Sequence, residues 1–221
     1  MENADNFDFN EHLKKGIEEK ENSDEVLNEY KKELKTPKFM NDEEKITSAR
    51  KGILMHLCIQ KLDESKEYSL KDIQELVDSL EQKEIITKKE AESISINKLE
   101  QYTKSSLWQE LKKAKKVYKE EPFYINVPAS KIYKDEELEE NILVQGIIDL
   151  YYIDKDDKIV LVDYKTDYVE RGNEQSLINK YEVQLNLYKE ALEKALNKKV
   201  DKVIIYSIWL QKELEIKKDV K

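Results

Sequence analysis

The segment Gly146–Asp167, GIIDLYYIDKDDKIVLVDYKTD, decides how this chain is read. Two apolar runs flank a charged turn, DKDDK at 154–158, the pattern of a β-hairpin. Strand residues two apart share a face, so Asp163 and Lys165 point the same way. With a five-residue turn from Asp154 to Lys158, Ile153 pairs with Ile159 and Asp149 falls directly opposite Asp163. Facing side chains of that kind have Cβ atoms roughly 5 Å apart. Two carboxylates and an ammonium are therefore expected on one patch.

The neighbours make that patch costly. Ile147, Ile148, Leu150 and Ile159–Val162 supply apolar residues to both faces, as in a strand covered on both sides. Charges enter such a strand when they are paired or bind metal. Two close carboxylates also repel unless a cation lies between them. A plain Asp–Lys salt bridge at a strand end accounts for Asp-x-Lys alone; the second Asp at the facing position argues for a metal site.

Outside the hairpin, the composition favours helix. Charged residues make up 39% of the 221-residue chain, against four glycines and three prolines, which disfavours a sandwich or barrel. No apolar run is long enough to span a membrane, and the N-terminus lacks a basic-then-apolar signal. The single cysteine, Cys58, excludes an internal disulfide and a Cys₄ cluster supplied by this chain alone. A cytoplasmic protein is expected. The net charge of −9 argues against nucleic acid as a partner until its distribution is seen. Residues 1–35 contribute −5 and the run KDEELEE at 134–140 contributes −4, so the rest is near neutral and has room for basic surfaces.

Residues 1–40 read as an acidic, loosely held arm, and a beginning of this kind also suits a piece of a longer protein. From about Asn41 a helical pattern carries Ile46, Ala49, Ile53, Leu57 and Leu62. His56 lies on it, on one edge with Gly52 and Gln60; locally it reads as a boundary histidine. Ser69 with Asp72, and Thr87 with Glu90, are capping boxes, the second opening a helix expected to carry Ala91, Ile94 and Leu99. Residues 105–119 read as a further helix with Leu107, Leu111, Ala114 and Tyr118 inward. Its lysines Lys112, Lys113, Lys115, Lys116 and Lys119 form either a solvated face or a phosphate-contacting strip. EEPFYINVP then reads as a strand ended by Pro128. A helix over 174–196 carries the stripe Leu177, Tyr181, Gln184, Tyr188, Ala191 and Ala195. Buried polar groups need partners, so Gln184 and Tyr188 are expected to reach something polar, such as the Asp/Lys patch. The apolar run 203–209, VIIYSIW, closes the sheet. The expected class is α/β: a mixed sheet flanked by helices, with an inserted helical lobe.

This order, with Asp in the second strand and Asp-x-Lys in the third, resembles the restriction-endonuclease-like core of the PD-(D/E)xK nucleases. GILMHLCIQKL, EEPFYINVP, VQGIIDLYY, VLVDYKTD and the Gln-x-x-x-Tyr of YEVQLNLYKEAL are similar to the successive motifs of RecB-type nuclease domains, most of all those of AddA-type helicase–nucleases. The resemblance covers roughly residues 38–216. It implies that His56, Asp149 and Asp163 are metal ligands, helped by the backbone carbonyl of Tyr164. It makes Lys165 the catalytic lysine, Glu121 a supporting acid, and Gln184 and Tyr188 residues that shape the site. It implies a Mg²⁺- or Mn²⁺-dependent deoxyribonuclease, an exonuclease acting on DNA in double-strand-break repair and recombination. The implied partners are a helicase portion of the same parent protein and an AddB-type protein. No glycine sits in a P-loop motif, so no ATP site is expected, and the cysteine cluster of iron–sulfur relatives is missing. The expected organisation is an arm at 1–40 and a nuclease domain at 41–221, with a mostly helical lobe over 57–119 and the catalytic sheet and helix over 120–216. A non-catalytic DNA-binding or subunit-docking module with the same fold, and a pure protein-interaction domain, are the competing readings.

Overall fold

A computed structural model of the chain describes residues 46–131 and 140–216. The expected arm at 1–40 and most of the acidic loop lie outside them. The chain divides into two compact units, Met1–Ile46 with Asn126–Ile142, and Thr47–Ile125 with Leu143–Lys221. In the first, the described residues are strand ends and a 3₁₀ turn at Ala129–Lys131, where Ala129 N–H donates to the Glu140 carbonyl (2.8 Å). The second holds the described helices, most of the sheet and every candidate site residue.

Helix α1 spans Ser48–Lys61, capped by the Thr47 hydroxyl, which accepts the Arg50 N–H. It buries Gly52, Leu54, Met55, Cys58 and Ile59. The expected stripe is thus turned: Ala49 is exposed, and Ile53 and Leu57 are half-buried. An all-round apolar helix leaves its inward face to be chosen by what packs on it. Helices α2 (Leu70–Gln82) and α3 (Lys88–Ser93) open on complete capping boxes, Ser69/Asp72 and Thr87/Glu90. Helix α3 stops at Ser93, because Ile94 turns extended, and Leu99 belongs to a separate helix, α4 (Ile96–Tyr102).

The single helix expected over 105–119 is not formed. Helix α5 ends at Leu111 after starting at Ser106, and strand β1 runs from Lys116 to Pro128. Lys115 N–H donates to the Ile153 carbonyl (2.8 Å), and the Tyr118 ring stacks on Tyr151 with centroids 4.5 Å apart. Strand pairing overrides the helical preference of a lysine-rich run, because propensity differences are small beside tertiary contacts. The lysine strip dissolves with the helix: Lys112 pairs with Glu67, Lys115 with Asp157 and Lys119 with Glu64.

Strands β2 (Asn141–Ile153), β3 (Ile159–Lys165), β4 (Lys202–Ser207) and β5 (Lys212–Glu215) complete a five-stranded sheet in the order β1-β2-β3-β4-β5. β3 runs antiparallel to β2 and parallel to β4. A parallel pair needs a crossover, which helix α6 (Glu174–Leu196) provides. Its buried face includes Leu177, Tyr181, Gln184, Tyr188 and Ala191 as the stripe predicts, while Ala195 is exposed. β4 ends at Ser207, short of Trp209. β5, KELE, escapes the sequence reading because a short polar edge strand has no apolar pattern. The architecture is the expected mixed α/β sheet with a helical lobe.

Candidate active site

The hairpin turn has the expected length. Asp154 N–H donates to the Lys158 carbonyl (2.9 Å), and the Asp154 carboxylate accepts the N–H groups of Asp156 and Lys158. Ile153 pairs with Ile159 and the register continues to Leu150 opposite Val162. Asp149 and Asp163 are the next residues on the two strands, close enough for Asp163 to feel the Asp149 charge. There the Asp149 carboxylate accepts the Tyr164 N–H (2.8 Å), which ties the two strands together beside the site.

Helix α1 brings His56 to this point, with Nδ1 3.5 Å from Asp149 Oδ2. It comes close because Gly52, one turn earlier, has no side chain: a Cβ there would lie 2.9 Å from Thr166 Oγ1. Burial disfavours the imidazolium, but the charge and hydrogen bond of Asp149 outweigh it and raise the His56 pKa. Burial likewise works against Asp149 as an anion, yet His56, Lys165 and the Tyr164 N–H hold its pKa below the usual carboxylate value.

Asp163 is 2% exposed. Lys165 Nζ lies 3.0 Å from its Oδ2, and that buried oxygen has no other polar partner among the described residues. Burial raises the Asp163 pKa, Lys165 opposes the rise and the Asp149 charge adds to it. The Lys165 ammonium is disfavoured by burial and favoured more strongly by Asp163 and Asp149, so its pKa is raised and it stays charged. The Gln184 side-chain oxygen accepts from Lys165 (3.2 Å), and the Gln184 amide donates to the Tyr188 hydroxyl (2.9 Å). Tyr188 in turn packs edge-on against Phe123, centroids 5.0 Å apart. A line of contacts therefore runs from Asp163 through Lys165 and Gln184 to Tyr188.

Glu121 is placed beside Tyr151, whose hydroxyl feels its charge. The carboxylate in electrostatic reach of Asp149 and His56 is the adjacent Glu120, whose pKa is raised by burial and by Asp149, against His56. Glu120 has φ of 54°. That left-handed residue breaks the strand's alternation, so counting residues along β1 cannot tell which of the two acids faces inward. Tyr181 also belongs here: Lys165 Nζ sits 4.1 Å from its ring centroid, and its hydroxyl donates to Asp167. Its place three residues before Gln184 on the helix is the signal that marks it.

Among the described residues no three of His, Cys, Asp and Glu are gathered as a ready metal cage. The donor set nevertheless suits a hard cation that keeps most of its waters and needs only one or two carboxylates. Asp163 Oδ2, buried and met only by the Lys165 ammonium among the described residues, supplies an oxygen with capacity for a further ligand.

The sequence profile of the PD-(D/E)XK nuclease superfamily matches residues 28–220. Several relatives are named as subunits of an ATP-dependent helicase/nuclease. That of Thermoanaerobacter sp. (strain X514) is 44% identical over 176 residues, or 78% of this chain and 14% of the relative. That of Clostridium perfringens (strain SM101 / Type A) is 39% identical over 92% of this chain and 16% of the relative. That of Clostridium novyi (strain NT) is 37% identical over 87% and 16%. The chain thus spans only 14–16% of the length of these relatives.

Proposed function

The chain belongs to the PD-(D/E)XK nuclease superfamily, and from that membership we propose that it is the metal-dependent nuclease part of an AddA-type helicase–nuclease, cutting phosphodiester bonds of DNA. The observation that carries the reading is the buried hairpin whose register runs to Leu150 opposite Val162, one step short of Asp149 and Asp163, with the Lys165 ammonium 3.0 Å from Asp163. The relatives' helicase work would lie in the length this chain does not cover. Exonucleolytic action in double-strand-break repair and recombination, an AddB-type partner and a cytoplasmic setting belong to the same proposal; the described helices include none long and apolar enough to cross a membrane.

Asp149 and Asp163 would hold Mg²⁺ or Mn²⁺, with His56 and the Tyr164 carbonyl beside them. A divalent ion bound there neutralises phosphate charge and makes a coordinated water more acidic. His56 fixes one carboxylate oxygen of Asp149, and the Tyr164 N–H holds Asp149 against the neighbouring strand. Lys165 is fixed from two sides, by Gln184 and by the Tyr181 ring, and presents a permanent positive charge. Such a preorganised cation orients the attacking water or stabilises the charge that develops on the phosphate in the transition state. Gln184 and Tyr188 position Lys165.

The test is digestion of end-labelled single- and double-stranded linear DNA with Mg²⁺, Mn²⁺ or EDTA. Cleavage is expected with either ion and not with EDTA, and Lys165→Ala is expected to lose roughly 100-fold or more. Wild-type activity in purified, folded Lys165→Ala, or cleavage in EDTA, would overturn the reading.

A further inference from the structure

Two large aromatic side chains stand in the open at the end of the sheet that carries the site. Tyr168 is 70% exposed and Trp209 44% exposed. Their rings meet edge to face, centroids 4.9 Å apart at 68°. Lys98, from α4 in the helical lobe, places Nζ 4.0 Å from the Trp209 ring centroid.

Their position ties them to the Asp/Lys patch. Tyr168 follows Lys165 by three residues, where the chain leaves β3. Ser207 pairs with Lys165 in the β3–β4 register, and the next residue, Ile208, donates its N–H to the Lys165 carbonyl (2.8 Å). Trp209 comes immediately after. Both aromatics therefore leave the carboxyl ends of two adjacent parallel strands, the edge at which α/β sheets hold their ligands. A pair whose only task was to pin the 166–173 loop to the turn after β4 would be covered, as Trp108 is at 0% exposure.

We propose that Tyr168 and Trp209, with the Lys98 ammonium beside them, form a stacking platform for the bases of a single DNA strand at the Asp163–Lys165 site. The chemistry fits this ligand. Aromatic faces bind bases without regard to sequence, because every base has a π-face, and a neighbouring cation meets the backbone phosphates. The platform gives the helical lobe a contact with substrate through Lys98. The proposal rests on the nuclease reading for the identity of its ligand.

The experiment uses the whole chain in EDTA, so that metal-dependent cleavage is blocked. The chain has two tryptophans, and Trp108 is buried, so a change in emission on adding an oligo-dT strand reports Trp209. Quenching is expected in the wild type and not in Trp209→Phe, which still binds. Affinity is expected to fall about tenfold in Tyr168→Ala and in Trp209→Ala, at unchanged melting temperature. An abasic strand of the same length is expected to bind the wild type as weakly as oligo-dT binds those variants. Equal binding of abasic and oligo-dT strands, undiminished binding by both alanine variants, or no binding by the wild type would each overturn the platform. The abasic comparison holds even if a variant fails to fold. The nuclease reading fails separately: base-dependent binding in EDTA with no hydrolysis in Mg²⁺ or Mn²⁺ would leave the platform standing and remove the enzyme.

Discussion

An ionised Asp163 costs the folded chain stability. Its carboxyl is buried, one oxygen is met only by the Lys165 ammonium among the described residues, and burial followed by the Asp149 charge raises its pKa despite Lys165. For an acid, a raised folded pKa means that the folded state holds the proton more tightly. Stability then falls as pH rises from the unfolded value through the folded one, and the penalty is complete above both. At pH 8 in EDTA, the double variant Asp163→Asn/Lys165→Met, which removes this penalty without leaving the buried ammonium unpaired, is therefore expected to melt no lower than the wild type while losing DNA cleavage. A melt several degrees below wild type would show that Asp163 is held for structure instead. Strand alternation and turn length made Asp149, Asp163 and Lys165 legible in the sequence, because both act between near neighbours. That Glu120 feels the charges of Asp149 and His56 was not legible, since a positive φ breaks the strand's count at that residue.

Among the helices, short-range chemistry was read well where side chains cap their own backbone. Both capping boxes form as their spacing predicts. Glu90 does more than cap: it also accepts from Arg50 Nε of α1 at 2.6 Å, joining α3 to the helix that carries His56. Burial raises its pKa, but the Arg50 and Thr87 hydrogen bonds outweigh burial and leave it lowered. A depressed carboxylate stabilises above its unfolded pKa, and that stability is lost as pH falls through the folded value. Glu90→Gln should thus cost about 1 kcal/mol at pH 7. Thermal melts across pH 7 to 3 should show the gap to wild type closing on the acid side; a gap that stays constant would sink the assignment. The segment 105–119 failed as a helix because its partner, β2, is invisible to local periodicity. Once β1 pairs there, Lys119 donates to the Leu62 carbonyl (2.5 Å) at the end of α1, where a positive charge is favoured.

The molecule as a whole should respond to the ion it is proposed to hold. A ligand that binds only the folded chain stabilises it, by about 2.7 kcal/mol at one hundred times its dissociation constant. For a chain of this size that amounts to a rise in melting temperature of roughly 5–10 °C. Mn²⁺ added during thermal melts should produce such a rise in the wild type and none in Asp149→Ala. An equal rise in both would place the ion elsewhere.

Linear order alone was enough for the α/β class, the hairpin register, the helix caps and the inward face of α6, since each rests on contacts within one turn, one hairpin or one helical repeat. The sequence carried the pairing of Ile153 with Ile159 without any fold being known. Tertiary structure decided the rest. It set His56 beside Asp149, put Glu120 within electrostatic reach of both, laid Gln184 and Tyr181 on Lys165, and gathered Lys98, Tyr168 and Trp209. These groups lie far apart in the chain, and what joins them is how the helices lie on the sheet, which no local period encodes.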